Sequence, residues 1–272
     1  MTSEKNLKIA VAGLGAVGLP VAKWLAEGDK GFDLVAVSAN DKERATQKIS
    51  DFKMKPPIVD LDELVGMADI IVEGLPPERY FDLAVPVIEQ GKVLVAVTVT
   101  QLLERPDLIE KARDTGARII VPTGALMAFD AVNAARHGTI HSLVMATRKP
   151  PKGLVKAPFV VEQGIDLSDL KEPLCLYKGS VRDAAQKFPA NVNVAVALSL
   201  AGAGPDDTQY EIWADPAVDR NTHTVKLDSD STRFEFTIAG VPTEENPATG
   251  KLTPLSVMAT LEGMVSTLRI GA

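Results

Sequence analysis

The sequence predicts an α/β fold in two parts, an N-terminal Rossmann-type parallel sheet and a second α+β domain. Three observations predict it. A glycine-rich turn, Gly13-Leu14-Gly15-Ala16-Val17-Gly18, stands between an apolar run and a helical stretch. Up to residue 122, short apolar runs alternate with helical ones, which is the order of a parallel sheet covered on both faces. Beyond that point strand-like runs follow one another without helices between them, as in a separate antiparallel or mixed sheet. The expected organisation is a dinucleotide-binding domain over 1–122, an α+β substrate and dimerisation domain over 123–244, and a return of 245–272 to the first domain.

The first strand is Leu7-Lys8-Ile9-Ala10-Val11-Ala12, and Leu19 to Ala26 is the helix that follows the turn. Gly13 permits the tight turn, Gly15 lets the backbone approach a pyrophosphate, and Gly18 lets the helix pack closely on the strand. The helix N-terminus offers N–H groups to phosphates. Gly13, Gly15, Ala16, Val17 and Gly18 are therefore the candidate cofactor cradle. Phe32 to Val37 reads as the second strand and Asp41 to Ile49 as a helix. The end of that strand is where a dinucleotide's adenosine ribose is read, and Ser38 and Asn40 are the candidate contacts. No carboxylate stands there before Asp41 to repel a 2′-phosphate, and Lys42 and Arg44 follow, so either NAD or NADP is the expected cofactor. Asp41 itself reads as a helix cap or a ribose contact.

Next come a short helix from Asp60 to Met67, the strand Ala68 to Glu73, and a helix opened by Pro76-Pro77 that runs to about Gln90. The strand Lys92 to Val97, a helix from about Leu102 to Thr115 and the strand Ala117 to Val121 complete the alternation. Glu73 falls at a strand end, where it either faces the nicotinamide side of a cofactor or is a solvated loop carboxylate.

From Pro122 the pattern changes. Gly124 to Val132 leads into a helix stopped by His137-Gly138, and Ile140 to Thr147 is β-rich up to Arg148-Lys149-Pro150-Pro151. Gly179-Ser180 caps a helix from Val181 to Lys187, and a small-residue helix runs from Asn193 through Ala203. Its Ala195, Ala197, Ala201, Gly202 and Ala203 permit close helix approach, and this helix with the β-rich half is expected to form the substrate domain and the dimer contact. Three strands are expected, over Gln209 to Ala214, Thr222 to Leu227 and Thr232 to Ile238. Thr253 to Leu268 is apolar at helical spacing and is expected to pack near the first domain.

The composition narrows the function. The chain has 272 residues, 46% of them hydrophobic, and a net charge of −7. That acidity argues against nucleic acid or a membrane surface as partner, and no apolar run reaches the length of a membrane span. With no apolar core behind the initial methionine, a cytoplasmic protein acting on a small molecule is expected. The single Cys175 forms no internal disulfide and reads as a small buried hydrophobe. No His or Cys cluster has metal-ligand spacing. Of three histidines, His137 reads as a helix-end residue and His141 as a half-exposed strand residue, while His223 begins a strand after a polar loop and is the candidate for chemistry. Arg148 and Lys149 either bind a substrate carboxylate or form a solvated turn. Asn191 and Asn193 either cap the following helix or present amides to a ligand.

Several of these stretches together resemble the L-aspartate dehydrogenase family. They are the N-terminal GxGxxG, Pro122-Thr123-Gly124-Ala125, Thr147-Arg148-Lys149-Pro150-Pro151, Phe188 to Gly202, Arg220-Asn221-Thr222-His223 and Glu245-Asn246-Pro247-Ala248-Thr249-Gly250. The resemblance implies an NAD(P)-dependent homodimer that oxidises L-aspartate to iminosuccinate, which hydrolyses to oxaloacetate or feeds NAD biosynthesis. It matches His223 to the family's active-site histidine, and Ala125 with the Asn191/Asn193 pair to its cofactor-contacting positions. Lys149 and Asn191 are the expected holders of the substrate. The chain departs from the family in two places. Leu126-Met127-Ala128-Phe129 replaces the usual Ile-Gly-Gly-Leu, and Val97-Thr98-Val99-Thr100-Gln101-Leu102 stands where Ser-Val-Gly-Ala-Leu is usual. These departures keep open a dehydrogenase or imine reductase for another small amino acid, and the fold itself allows a non-catalytic nucleotide-binding sensor.

Overall fold

The computed structural model describes residues 6–189, 192–246 and 249–271. It divides into two compact units, one running to Gly124 and taking in Thr253–Arg269, the other built on Ala125–Leu252. Among the described residues no helix is long and apolar enough to cross a membrane.

In the first unit the strands are β1 (Leu7–Ala12), β2 (Phe32–Ser38), β3 (Ile70–Glu73), β4 (Val93–Val95) and β5 (Arg118–Ile120). They lie in the order β2-β1-β3-β4-β5, and every neighbouring pair is parallel. The accompanying helices are α1 (Gly18–Ala26), α2 (Lys42–Lys48), α3 (Leu61–Met67), α4 (Tyr80–Glu89) and α5 (Asp107–Thr115). Successive residues Ile9, Ala10, Val11 and Ala12 are all fully buried, as a strand covered on both faces requires. On one face Val21, Ala22 and Leu25 of α1 pack with Ile9, Val11, Phe32 and Val37. The chain steps outward from β1 to β2 and then returns past β1 to β3. The carboxyl ends of β1 and β3 are therefore the switch point at which such sheets take ligands. The last helix, α10 (Leu252–Val265), places Val257 and Leu261 in this same core.

Local chemistry moves several boundaries from their expected places. The helix expected from Leu102 starts only at Asp107, because Pro106 lacks an N–H and stands at its N-cap; Val99–Leu103 is a separate 3-10 turn. Pro76-Pro77 likewise opens a 3-10 turn, Pro77–Arg79, ahead of α4. Asp41 is a cap of α2, its Oδ1 accepting the Arg44 N–H at 2.9 Å.

The second unit holds β6 (Ile140–Lys149), β7 (Leu174–Ser180), β8 (Gln209–Ala214), β9 (Thr222–Ser229) and β10 (Arg233–Ala239), in the order β10-β9-β6-β8-β7. Only β6 and β8 run parallel, so the sheet is mixed. Its helices are α6 (Phe129–Ala135), α7 (Pro158–Glu162), α8 (Val181–Lys187) and α9 (Asn193–Ala201). Strand β7 is absent from the sequence reading because Gly179-Ser180 has the composition of a turn. Gly179 instead continues the strand, and a Cβ there would lie 2.4 Å from the Tyr177 hydroxyl that crosses it. Ser180 still caps α8 through the Asp183 N–H. Cys175 lies on β7 half-exposed rather than buried, and desolvation with the Glu211 charge raises its thiol pKa.

In α9, Ala195 to Ser199 are buried, and a Cβ at Gly202, just past its end, would lie 2.6 Å from Leu143 and 2.8 Å from Val132. The lack of a side chain at Gly202 thus lets the end of α9 sit close against α6 and β6.

Candidate active site

In the first unit the candidate site is built from backbone. Gly13 has φ +92°, and a Cβ there would lie 2.3 Å from the Gly74 carbonyl oxygen. A Cβ on Gly18 would lie 1.9 Å from the Gly13 carbonyl oxygen. Both glycines are therefore required by the protein itself. A Cβ on Gly15, in contrast, would meet nothing within 4 Å, so the turn is open on that side. No side chain caps α1 at Val17, and its first turn carries no acid. Lys48 Nζ donates to the Leu14 carbonyl at 2.7 Å, bringing an ammonium to the loop. An open glycine, an uncapped helix start and a nearby cation fit a dinucleotide pyrophosphate.

At the end of β2, Ser38 is buried and Asn40 is exposed. Of the expected cations, Lys42 pairs at 2.9 Å with Asp60, which lines the cleft there. Arg79, which the sequence reading missed, reaches it as well. Its Nη1 donates to Asn40 Oδ1 at 2.7 Å and its Nε to Asp82 at 2.6 Å, beside a cleft of about 710 Å³ that Ser38, Asp60 and Asp62 also line. It was missed because Arg79 is 39 residues from Asn40 and only the β2-β1-β3 strand order brings them together.

Glu73 is not a solvated loop carboxylate. It is 0% exposed. Its Oε1 accepts the Leu75 N–H at 2.8 Å and the Thr98 hydroxyl at 2.9 Å, and its Oε2 accepts the Val97 N–H at 2.9 Å and the Thr98 N–H at 2.8 Å. Burial pushes the pKa of this carboxyl up, and those four donors pull it back.

In the second unit the candidate site is built from side chains on one face of the mixed sheet. Thr147 of β6 pairs with His223 of β9, and Thr147 Oγ1 lies 3.0 Å from His223 Nδ1. The Tyr210 hydroxyl donates to the same Thr147 oxygen at 2.9 Å. Two residues further along β6 on the same face, Lys149 is 6% exposed, and His223 is 5% exposed. Burial lowers the Lys149 pKa to about 8, and burial together with the Lys149 charge lowers that of His223 to about 4. The imidazole is thus neutral at pH 7, where its unperturbed pKa would leave it partly charged. Strand alternation turns Arg148 to the other face, where it pairs with Asp215 at 2.8 Å and its guanidinium stacks 4.9 Å from the Trp213 ring. Arg148 and Lys149 therefore do not act together on one ligand.

Ala125 is half-buried in the loop before α6, and Asn193 is the first residue of α9, whose cap position is Val192; Asn193 is thus not the cap. Asn191 lies outside the described residues. His137 and His141 are both exposed.

A parallel-sheet unit with an open glycine turn and a mixed-sheet unit with a buried imidazole and ammonium define a two-domain oxidoreductase that takes a pyridine nucleotide. The family model for the NAD-binding domain of homoserine dehydrogenase matches residues 13–122, and that described as the C-terminal part of aspartate dehydrogenase matches 130–264. The chain is 47% identical to an L-aspartate dehydrogenase of Bradyrhizobium diazoefficiens, over 99% of this chain and 96% of the relative. It is 48% identical to L-aspartate dehydrogenase 3 of Bordetella bronchiseptica over the whole of both chains. The crystal structure of aspartate dehydrogenase from Thermotoga maritima shares the fold, with a TM-score of 0.74 and 24% identity over 98% of this chain and 100% of that one. The chain belongs to the aspartate dehydrogenase family.

Proposed function

We propose that the protein oxidises L-aspartate to iminosuccinate with NAD or NADP, acting as a cytoplasmic homodimer whose product hydrolyses to oxaloacetate or enters NAD biosynthesis. The observation that carries this reading is the buried pair of Lys149 and His223 on one sheet face, in a chain of this family. A bound nicotinamide supplies the acceptor for the hydride that leaves the substrate Cα. Everything else falls to the protein. The Lys149 ammonium holds a substrate carboxylate, with Asn191 as the second holder. His223 takes the proton that the substrate ammonium must lose before its nitrogen lone pair can expel hydride, or activates the water that attacks the imine. A ring that is neutral at pH 7 has an acceptor nitrogen for that proton. The depressed basicity is corrected when the substrate arrives, because two carboxylates beside the pair favour the protonated forms of both groups. The glycine turn from Gly13 to Gly18 cradles the pyrophosphate, Ser38 and Asn40 contact the ribose, and Ala125 and Asn193 line the cofactor.

The test is incubation of the protein with NAD or NADP and a panel of L-aspartate, D-aspartate, L-glutamate and L-alanine, following reduced nicotinamide by absorbance. Turnover of L-aspartate at least tenfold above the other amino acids is expected with both coenzymes. Turnover of another amino acid alone, or coenzyme binding without turnover, overturns the reading.

A further inference from the structure

Among the fully buried residues described in the first unit, Glu73 is the only one with an ionisable carboxyl, amine or imidazole. It ends β3, paired in register with Ala12 of β1, and the next residue, Gly74, donates its N–H to the Ala12 carbonyl at 2.8 Å. Gly74 is also the residue against which the Gly13 turn closes. The carboxyl thus stands at the switch point, under the side of the glycine turn that faces β3.

Its hydrogen bonds favour the charged form. Each carboxylate oxygen accepts two donors, three of them backbone N–H groups that cannot reverse. A proton on Oε2 would meet a backbone N–H, and one on Oε1 is accommodated only if the Thr98 hydroxyl turns to the Leu75 carbonyl at 3.3 Å, whereas the anion uses all four donors at 2.8 to 2.9 Å. Every partner is neutral, and the nearby Tyr80 phenol, whose pKa is raised by burial and then by the Glu73 charge, has no hydrogen-bond partner among the described residues. The charge is therefore held by dipoles and is not cancelled by a cation. In a low-dielectric interior such a charge acts over several ångströms.

We propose that Glu73 is a positioning residue with two actions: it ties the loop after β3 to the turn after β4 as one wall of the nicotinamide half of the cofactor site, and its fixed negative charge favours the oxidised, cationic nicotinamide over the reduced one. The proposal rests on the pyridine-nucleotide reading of the first unit but not on aspartate as substrate. The two actions separate by mutation. Thr98→Val removes one donor and leaves the charge, whereas Glu73→Gln removes the charge and keeps the shape.

The experiment measures Kd for NAD+ and NADH by titration of the purified proteins, with NADH fluorescence and competition by NAD+, in the absence of substrate. For Glu73→Gln the ratio Kd(NAD+)/Kd(NADH) is expected to rise at least fivefold above wild type. For Thr98→Val both constants are expected to weaken by a common factor, leaving the ratio within twofold. If Glu73→Gln does not fold, the double variant Glu73→Gln/Thr98→Val replaces it. A folded charge-removing variant with an unchanged ratio overturns the proposal, as does a shifted ratio in Thr98→Val. Failure of the wild type to bind either coenzyme would instead overturn the pyridine-nucleotide reading on which the proposal rests.

Discussion

The two units build their halves of the chemistry from different materials. In the first, the candidate site is backbone: Gly13 and Gly18 are held by contacts a Cβ would forbid, and Gly15 leaves one side of the turn open. In the second it is buried side chains: Lys149, His223, Thr147 and Tyr210 share one face of a mixed sheet. A backbone site needs particular residues at fixed spacing in one stretch of chain. A side-chain site needs the fold to bring distant residues together and to strip them of water. The difference teaches which kind of mutation each half tolerates, and the predictions test it from the largest expected effect to the smallest.

Removing the imidazole is expected to be the most damaging change. His223→Ala should fold and bind coenzyme as the wild type does, yet lose roughly 10²–10⁴ in kcat, the range for a positioned acid-base group. His141→Ala, an exposed residue, should turn over normally. Steady-state kinetics with L-aspartate check both, and near-normal turnover of His223→Ala would break the assignment.

The glycines divide into those the fold needs and the one the ligand needs. Gly18→Ala forces a methyl against the Gly13 carbonyl and is expected to destabilise the protein by about 3 kcal/mol, the upper end for overpacking, with coenzyme binding lost as well. Gly15→Ala should unfold at the wild-type temperature and still bind coenzyme at least tenfold more weakly, because its added methyl has room in the protein and stands where the pyrophosphate approaches. Thermal denaturation and coenzyme titration on the pair distinguish the two. Equal losses of stability would show that Gly15 is structural too.

The buried pair makes stability depend on pH in two windows. Unfolded, His223 takes a proton near its ordinary value of 6.5, but folded it does so only at about 4. The unfolded chain therefore binds more protons between these values, and stability falls as the pH drops through them. Lys149 gives up its proton near 8 when folded and near 10.5 when unfolded, so stability rises across that second window and the burden of the buried ammonium is full below pH 8. A shift of that size corresponds to roughly 3 kcal/mol. Lys149→Met is expected to stabilise the protein by about 2 kcal/mol at pH 7 after its other contacts are lost, to abolish the upper window and to narrow the lower one, while raising KM for aspartate. Denaturant titrations at several pH values read all of these. Persistence of the upper window in Lys149→Met would assign it to another group.

The same contrast explains what could be read from the sequence. The glycine turn, the alternating strands of the first unit and the apolar stripe of the last helix are local patterns, and each appears in the structure as an element of the expected type. His223 was singled out by position and family resemblance, but its neutrality was not legible, because it depends on Lys149, 74 residues away, reaching the same dry sheet face across β6 and β9. Arg79 was missed for the same reason, and the burial of Glu73 was not legible because nothing in Glu-Gly-Leu-Pro-Pro shows that the Thr98 turn covers it. The small residues of α9 were legible as a close contact, but not the surface they contact. Gly202, at the end of the helix, makes room for Leu143 of β6 and Val132 of α6.

The smallest expected effect lies where the chain departs from its family. Met127, one of the two residues standing in place of glycine, is 51% exposed. The other, Ala128, has φ +61° and ψ 24°, a left-handed conformation at the start of α6. An L-residue in that region costs about 1 kcal/mol relative to glycine, from Cβ crowding against the following carbonyl. Glycine in turn gives the unfolded chain more freedom, which offsets roughly half of that gain. Ala128→Gly is therefore expected to stabilise the protein by about 0.5 kcal/mol, a rise of about 1–2 °C in Tm for a chain of this size. Ala128→Val should lower Tm, since a branched side chain suits positive φ less well than a methyl. Calorimetry on the two variants decides the matter. If Ala128→Gly lowered Tm, the alanine methyl would be contributing packing that outweighs its backbone strain, and the departure from the family pattern would be a gain in stability.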